Sequence, residues 1–555
     1  MRFSAMLAAV GPALSVAALS TSAMATAKGA AVFPPISVEI LKTVTETLSS
    51  DGFEGRAPAT PAEEKTIAYI ARRFEKAGLQ PGNNGSWFQD VPLVEITPDP
   101  GMVLTVSGKG VSLNLAFHRD MVARTRRLSP LVEVRGSDLV FAGYGINAPE
   151  LGWNDYAGLD VRGKTVIVLV NDPDWRQPLG QGPFGGKAMT YYGRWTYKYE
   201  EAARQGAAAV FIVHDTEPAA YGWNVVDSSN SGPAIDLRSG DDGASRVAVQ
   251  GWLTKDAARR LLAAGGQDLD TLMAGAGRKG FKPVPLPLQA SIDIRTSVRT
   301  MMSRNVIGIL PGRARPGEVM LHTAHWDHLG RCTPAADGDD ICNGALDNAS
   351  GVAGLVALAD AYGKAPRTAR TIAFLAVTAE ESGLLGSQYY AEHPVYPLGR
   401  TVAGINMDVM SVYGRSRDVV VIGKGKSQLE PMLDHYAALQ GRRVEAEPTP
   451  ERGYFYRSDH FSFAKQGLPM LFTEAGKDLR AGGIAAGNAR SDDYIANHYH
   501  GPKDEYASAW DWSGAVEDLQ LYYAIGHALA DGNQWPNWYQ TAEFRAARDI
   551  SRAGR

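Results

Sequence analysis

From residue 305 onward, short apolar runs alternate with segments of helical period. NVIGILPG (305–312), EVMLHTAHWDH (318–328), RTIAFLAVTAEE (370–381), TVAGINMDV (401–409), DVVVIG (418–423) and LPMLFTEAG (468–476) read as strands. Between them, SGVAGLVALADAYG (350–363), GSQYYAEHP (386–394), LEPMLDHYAALQ (429–440) and AVEDLQLYYAIGHALADG (515–532) read as helices. Near-continuous apolar strands alternating with helices predict a mostly parallel, mixed α/β sheet with helices on both faces. Ligands of such sheets bind beyond the carboxyl ends of the strands.

The first part of the chain has a different texture. Residues 38–50 and 61–79 carry apolar positions at helical spacing, among them Ile67, Ile70 and Phe74, with Gly78 near the end. A less regular, strand-like stretch follows over 87–117. From about Ser137, the strands DLVFAGYGI (138–146), KTVIVLVNDP (164–173) and GAAAVFIVHD (206–215) and the helical AARRLLAAG (257–265) suggest a self-contained, β-rich α/β insert ending near Pro287. The expected organisation is 36–110 as the first part of the main domain, 111–290 as the insert with its core at 137–287, and 291–555 as the main part. With 555 residues, two domains are expected.

Composition narrows the partners. The net charge is −4, with 45% apolar and 21% charged residues. No basic field for nucleic acid is present. Residues 1–27 place one Arg before an apolar stretch and end in small-residue pairs at Ala23/Ala25 and Ala25/Ala27, the pattern of a secretory signal. Gly11, Pro12 and Ser15 interrupt a segment already short for a bilayer. The expected product is therefore exported, periplasmic or secreted, with no membrane span after cleavage. In that setting Cys332 and Cys342, the two cysteines of the chain, are expected to form a disulfide. Free thiols or thiolate metal ligands are the rivals.

The strand ends carry the chemistry. His325, Asp347, Glu380, Glu381, Asp408 and His500 lie in HTAHWDH (322–328), GALDNASG (344–351), TAEESG (378–383), NMDV (406–409) and YHGPKDE (499–505). Two imidazoles and four carboxylates can hold two divalent ions and leave one carboxylate as a base. Asp327 shares a face with His325 on an extended segment and is its expected orienter. His322 and His328 compete with His325 for ligation, and His498 with His500. Asp347 alone would be a helix cap. Asn348 and Ser350 can cap equally well, which frees Asp347 to bridge two ions. Glu381 is then a ligand and Glu380 the general base. Asp408 is a terminal ligand, and Asp504 the expected orienter of His500.

These motifs resemble those of the two-zinc aminopeptidases of peptidase family M28, which run roughly HxD, DDNxSG, EExG, NxDM and HxxxD. Leu346 and Val409 depart from that text without removing a ligand. SDHFSFAKQGLP (458–469) and FEGRAPATPAEEK (53–65) also resemble family stretches. The resemblance implies a zinc exopeptidase fold, with His325 and Asp408 on one zinc, Glu381 and His500 on the other, and Asp347 bridging. It also implies a protease-associated (PA)-like identity for the insert. The expected substrates are peptides with a free N-terminus. A carboxypeptidase, dipeptidase or glutaminyl cyclase on the same fold is the alternative, and a non-catalytic receptor-like scaffold is the reading of another class. Tyr454, Phe455, Tyr456 and Arg457 are candidates for the substrate pocket, and the aromatic run 188–201 for a cap over the cleft.

Overall fold

The computed structural model describes residues 33–553; the expected signal over 1–27 lies outside them. The main sheet runs in the order Val284–Leu310, Arg370–Val377, Arg315–His325, Thr401–Asn406, Met470–Glu474, Asp418–Val421, Arg443–Ala446. The four strands from Arg370–Val377 to Met470–Glu474 are parallel; Val284–Leu310 and Asp418–Val421 pair antiparallel at either side. The run TIAFLAV shows why. Ile372, Phe374 and Ala376 enter one core with the helices Val38–Leu48, Gly351–Lys364 and Ser513–Asp531. Ala373, Leu375 and Val377 enter another, with Tyr390 and Phe463 on the opposite face. A strand covered on both faces has no polar alternation to show, so it reads as one apolar run. Its polar residues are confined to the ends, and those just past the carboxyl end, Glu380 and Glu381, line the site.

A second sheet takes the order Met121–Arg124, Val249–Leu253, Ala209–Val213, Thr165–Leu169, Leu131–Phe141, the first half of Val284–Leu310, Val103–Gly108, Val111–Ala116. Its core is drawn from Met102 to Ile294, wider than 111–290. The end expected near Pro287 falls inside one continuous strand. Residues 284–295 of Val284–Leu310 pair with Leu131–Phe141, and 296–306 pair with Phe88–Pro98 in the main unit. The polar stretch 296–304 conceals that continuity, because an edge-exposed ribbon needs no buried face. Ala234–Leu237 leaves the second unit altogether and pairs with Phe88–Pro98. The two units are further joined by aromatic contacts: the Tyr191 ring packs against Tyr456 and Phe461 at centroid distances of 6.3 and 5.2 Å.

Cys332 and Cys342 form a disulfide with Cα atoms 5.9 Å apart and a sequence separation of 10. It staples the hairpin of Gly330–Arg331 and Ile341–Cys342. That hairpin packs on the turn Asp51–Arg56. A Cβ at Gly55, where φ is +66°, would lie 2.5 Å from the Cys342 carbonyl oxygen, so the close approach requires glycine. Closing a loop of this size stabilises the fold by roughly 2–3 kcal/mol through the unfolded chain. Replacing both cysteines with Ser is expected to lower stability by that amount, measured as the shift in a denaturant midpoint at unchanged slope. An unchanged midpoint would mean that the hairpin needs no staple.

Candidate metal centre

Three adjacent parallel strands deliver the first donors. His325 ends Arg315–His325, Glu380 and Glu381 follow Arg370–Val377, and Asp408 follows Thr401–Asn406. Asp347 lies in the irregular turn Ala345–Ser350 that opens the helix Gly351–Lys364. Asn348 takes over the cap: its Oδ1 accepts from the Gly351 amide at 2.9 Å and the Val409 amide at 3.1 Å. Ser350 Oγ accepts from the Met410 amide at 3.0 Å. The bonds to Val409 and Met410 tie the helix start to the segment bearing Asp408 and leave the Asp347 carboxylate free to face the cluster.

Two donor groups result, and they share Asp347. In the first, His325 Nε2 lies 3.3 Å from Asp347 Oδ1 and 3.2 Å from Asp408 Oδ1. In the second, His500 Nε2 lies 3.4 Å from Asp347 Oδ2 and 3.0 Å from Glu381 Oε2. His328, a rival at the level of sequence, joins this second group from beneath: its Nδ1 is 2.7 Å from Glu381 Oε1, and the ring is buried. His328, Asp347 and Glu381 by themselves form a set close enough to share an ion, as do His325, Asp347 and Asp408. The other rivals are elsewhere. His322 is buried between Tyr362 and Phe374, where burial lowers its pKa to about 3. His498 is half-buried, and its ring bonds the Lys503 carbonyl oxygen.

The supporting contacts differ from those expected in two places. Asp327 Oδ1 is 3.7 Å from His325 Nδ1, beyond a hydrogen bond, and it is the Asp327 carbonyl oxygen that accepts from that nitrogen at 3.2 Å. Its carboxylate instead accepts from the backbone N–H of Glu380 at 3.0 Å and of Glu381 at 3.4 Å, holding the paired glutamates in place. Asp504 makes no bond to His500. It accepts from the Leu346 and Asp347 amides at 2.9 and 3.0 Å and from the Tyr494 hydroxyl at 3.1 Å, and so positions the shared carboxylate. Ser458 donates to Asp408 Oδ2 at 2.7 Å.

Arg56 underlies the whole arrangement. Its guanidinium is fully buried and donates to the carbonyl oxygens of Leu48, Trp326, Asn343 and Gly344 at 2.6–3.0 Å. Burial lowers its pKa to about 10, against the pull of Asp504, Asp327, Asp347 and Glu381. It therefore fixes the backbone beside His325 and before Asp347 while offsetting part of their negative charge. Arg56→Met is expected to destabilise the fold by about 3 kcal/mol or more, because four carbonyl groups lose their donor. Arg56→Lys should recover little, since an ammonium cannot reproduce the planar fork. Denaturation of both variants checks this, and a lysine variant as stable as the parent would contradict it.

Electrostatics in the cluster follow burial and crowding. Burial, with the charges of Asp408 and Glu381, holds the Glu380 carboxyl well above the usual range. Burial opposes ionisation of Asp347, but hydrogen bonds from His325 and His500 prevail and hold it well below. Burial likewise opposes protonation of His500, yet Asp347 and Glu381 raise it to about 10. Carboxylates this crowded and desolvated call for cations. Oxygen and imidazole donors converging in two groups with one bridging carboxylate fit divalent ions such as zinc.

The centre opens into a cleft of about 1700 Å³ between the two units, lined by Asp347, Glu380, Glu381 and Asp408. That exceeds a typical small-molecule site and has room for a peptide. Of the aromatic run before 458, Tyr454, Tyr456 and Arg457 line the cleft. Phe455 does not: it is buried against Phe544 and His460, so its assignment to the substrate pocket is withdrawn. Trp195 and Tyr199 of the 188–201 run line the cleft from the second unit.

Residues 305–524 match the model of peptidase family M28. The match covers less than half of the chain. The M28 segment holds every metal donor described above. Among curated relatives, mouse "Aminopeptidase NAALADL1" is 30% identical over 139 residues, 23% of this chain and 17% of that protein. A "Glutamate carboxypeptidase 2 homolog" of Caenorhabditis elegans is 35% identical over 169 residues, 29% of this chain and 19% of that protein. The matched region thus spans under a fifth of the length of these relatives. Among solved structures, an aminopeptidase from Aneurinibacillus sp. strain AM-1 aligns at 21% identity with a TM-score of 0.48, over 90% of this chain and 95% of the other. A zinc aminopeptidase from Bacillus subtilis aligns at 18% identity with a TM-score of 0.42, over 92% and 99%.

Proposed function

We propose that the protein is an exported metallo-aminopeptidase that removes N-terminal residues from peptides with two zinc ions. The observation that carries this reading is the pair of donor groups sharing Asp347, set at the ends of adjacent parallel strands and facing a peptide-sized cleft. His325 and Asp408 would hold one ion, Glu381 and His500 the other, with Asp347 between them. His328 occupies Glu381 Oε1 and leaves Oε2 to face His500. Zinc bound there supplies Lewis acidity toward a carbonyl and lowers the pKa of water toward neutrality. Glu380 accepts the proton of the attacking water and returns it to the nitrogen of the leaving amine. Asp327 fixes the backbone of Glu380, so that its carboxylate meets both partners in turn. Export is supported by the disulfide, which persists in oxidising compartments, and by the sequence of 1–27. Among the described residues, no helix is long and apolar enough to cross a membrane. The second unit, read as PA-like, roofs the cleft.

The test is metal content together with hydrolysis of aminoacyl-p-nitroanilides and their N-blocked equivalents. About two zinc ions per chain and cleavage of the unblocked substrates alone are expected. Cleavage confined to blocked or C-terminal substrates would move the reading to a carboxypeptidase, the activity in the printed name of one relative.

A further inference from the structure

The cleft that the metal donors line also carries a group of arginines, several of them without an acidic partner. Arg124, Arg126, Arg194 and Arg246 of the second unit and Arg457 of the M28 segment all line the cleft. Asp236 serves two of them, at 2.9 Å from Arg126 and 3.0 Å from Arg246. Among the described residues, Arg124, Arg194 and Arg457 make no ion pair. Arg124 gives only a long bond of 3.4 Å to the Ser229 carbonyl oxygen, and its Nε is buried without a partner. Arg194 and Arg457 rest on the rings of Trp195 and Tyr454, at 5.6 and 5.4 Å. Burial, then the like charge of Arg457, lowers Arg194 to about 10.

Arg124 and Arg194 are half-buried and Arg457 is exposed, so these unpaired charges are open to an anion entering the cleft. The acids of the second unit near these arginines are engaged elsewhere: Asp236 pairs with Arg126 and Arg246, and Glu200, which also lines the cleft, pairs with Lys465 and Arg204. Arg194 and Arg457 come from different units and line the same cleft. Guanidinium groups recognise carboxylates by paired, charge-assisted hydrogen bonds.

We infer that Arg194 and Arg457, backed by Arg124, form a subsite for a substrate carboxylate lying beyond the scissile bond. The inference rests on the exopeptidase reading and narrows it to peptides carrying a negative charge close to the cleaved residue. That charge comes either from the C-terminus of a short peptide or from an acidic side chain.

Three peptides separate the sources: Leu-Ala-Ala as free acid, its C-terminal amide, and Leu-Glu-Ala amide. Each is measured by KM with the zinc-loaded enzyme, and by calorimetric binding to the Glu380→Gln protein, which needs no turnover. The acid is expected to show a KM and Kd about tenfold or more below those of its amide. If Leu-Glu-Ala amide matches the acid, a side chain serves as well as the C-terminus. In Arg194→Gln the acid-to-amide ratio should fall toward one, with Arg194→Lys between; Arg124→Gln gives a second reading if Arg194→Gln fails to fold. Equal binding of acid and both amides, or a ratio unchanged in the arginine variants, overturns the subsite. Absence of turnover of every peptide overturns the aminopeptidase reading instead, and the subsite is then judged on binding alone.

Discussion

Glu380→Gln is expected to lower kcat/KM for peptide hydrolysis by about 10³–10⁴-fold while leaving metal content unchanged. The side chain keeps its volume and its place beside the cluster, but it can no longer take up a proton. The amide retains the backbone contact to Asp327, so the geometry of Glu381 next to it is preserved. Metal analysis alongside single-turnover kinetics checks both halves of the expectation. A variant that keeps its rate would remove Glu380 as the base, and one that loses metal would make it a ligand.

Asp347→Ala should show the opposite pairing: loss of metal together with loss of activity. Asp347 is the residue common to both donor groups, and its two oxygens face different imidazoles, His325 and His500. Removing it leaves each group one anionic donor short and takes away the charge that screens the repulsion of neighbouring ions. The expected result is occupancy of one ion or none by elemental analysis, with turnover reduced by at least the factor for Glu380→Gln. Full retention of two ions would end the bridging assignment. Comparing the two variants separates chemistry from assembly, because one site lacks its base and the other its framework.

The donor set was legible because each member sits where a buried strand or helix meets the surface. His325, Glu380, Glu381 and Asp408 interrupt apolar runs abruptly, and such breaks survive in a one-dimensional text. Asp347 was legible because two neighbours could cap the helix in its stead; Asn348 does so, whereas Ser350 bonds the Met410 amide instead. His328 was recognised only as a competitor. Its proximity to Glu381 depends on a turn joining residues more than fifty apart in sequence. The assignment of Asp504 to His500 followed nearness in sequence, whereas the fold directs its carboxylate to the backbone of Asp347. Phe455 shared its motif with true cleft residues, and only the local turn Tyr454–Tyr456 separates it from them.

By itself, then, the sequence determined the alternation of strands and helices, the apolar faces of the main sheet, the disulfide and most of the candidate donors that the fold brings together. These depend on periodicity and on side-chain chemistry, which local order carries. The tertiary structure decided what depends on residues distant in sequence. It joined both units through one strand, Val284–Leu310, set Arg56 beneath loops nearly three hundred residues away, and brought Arg194 and Arg457 to one cleft. The physical reason is that a buried guanidinium or a shared carboxylate is defined by its surroundings. Those surroundings exist only once the two units have packed.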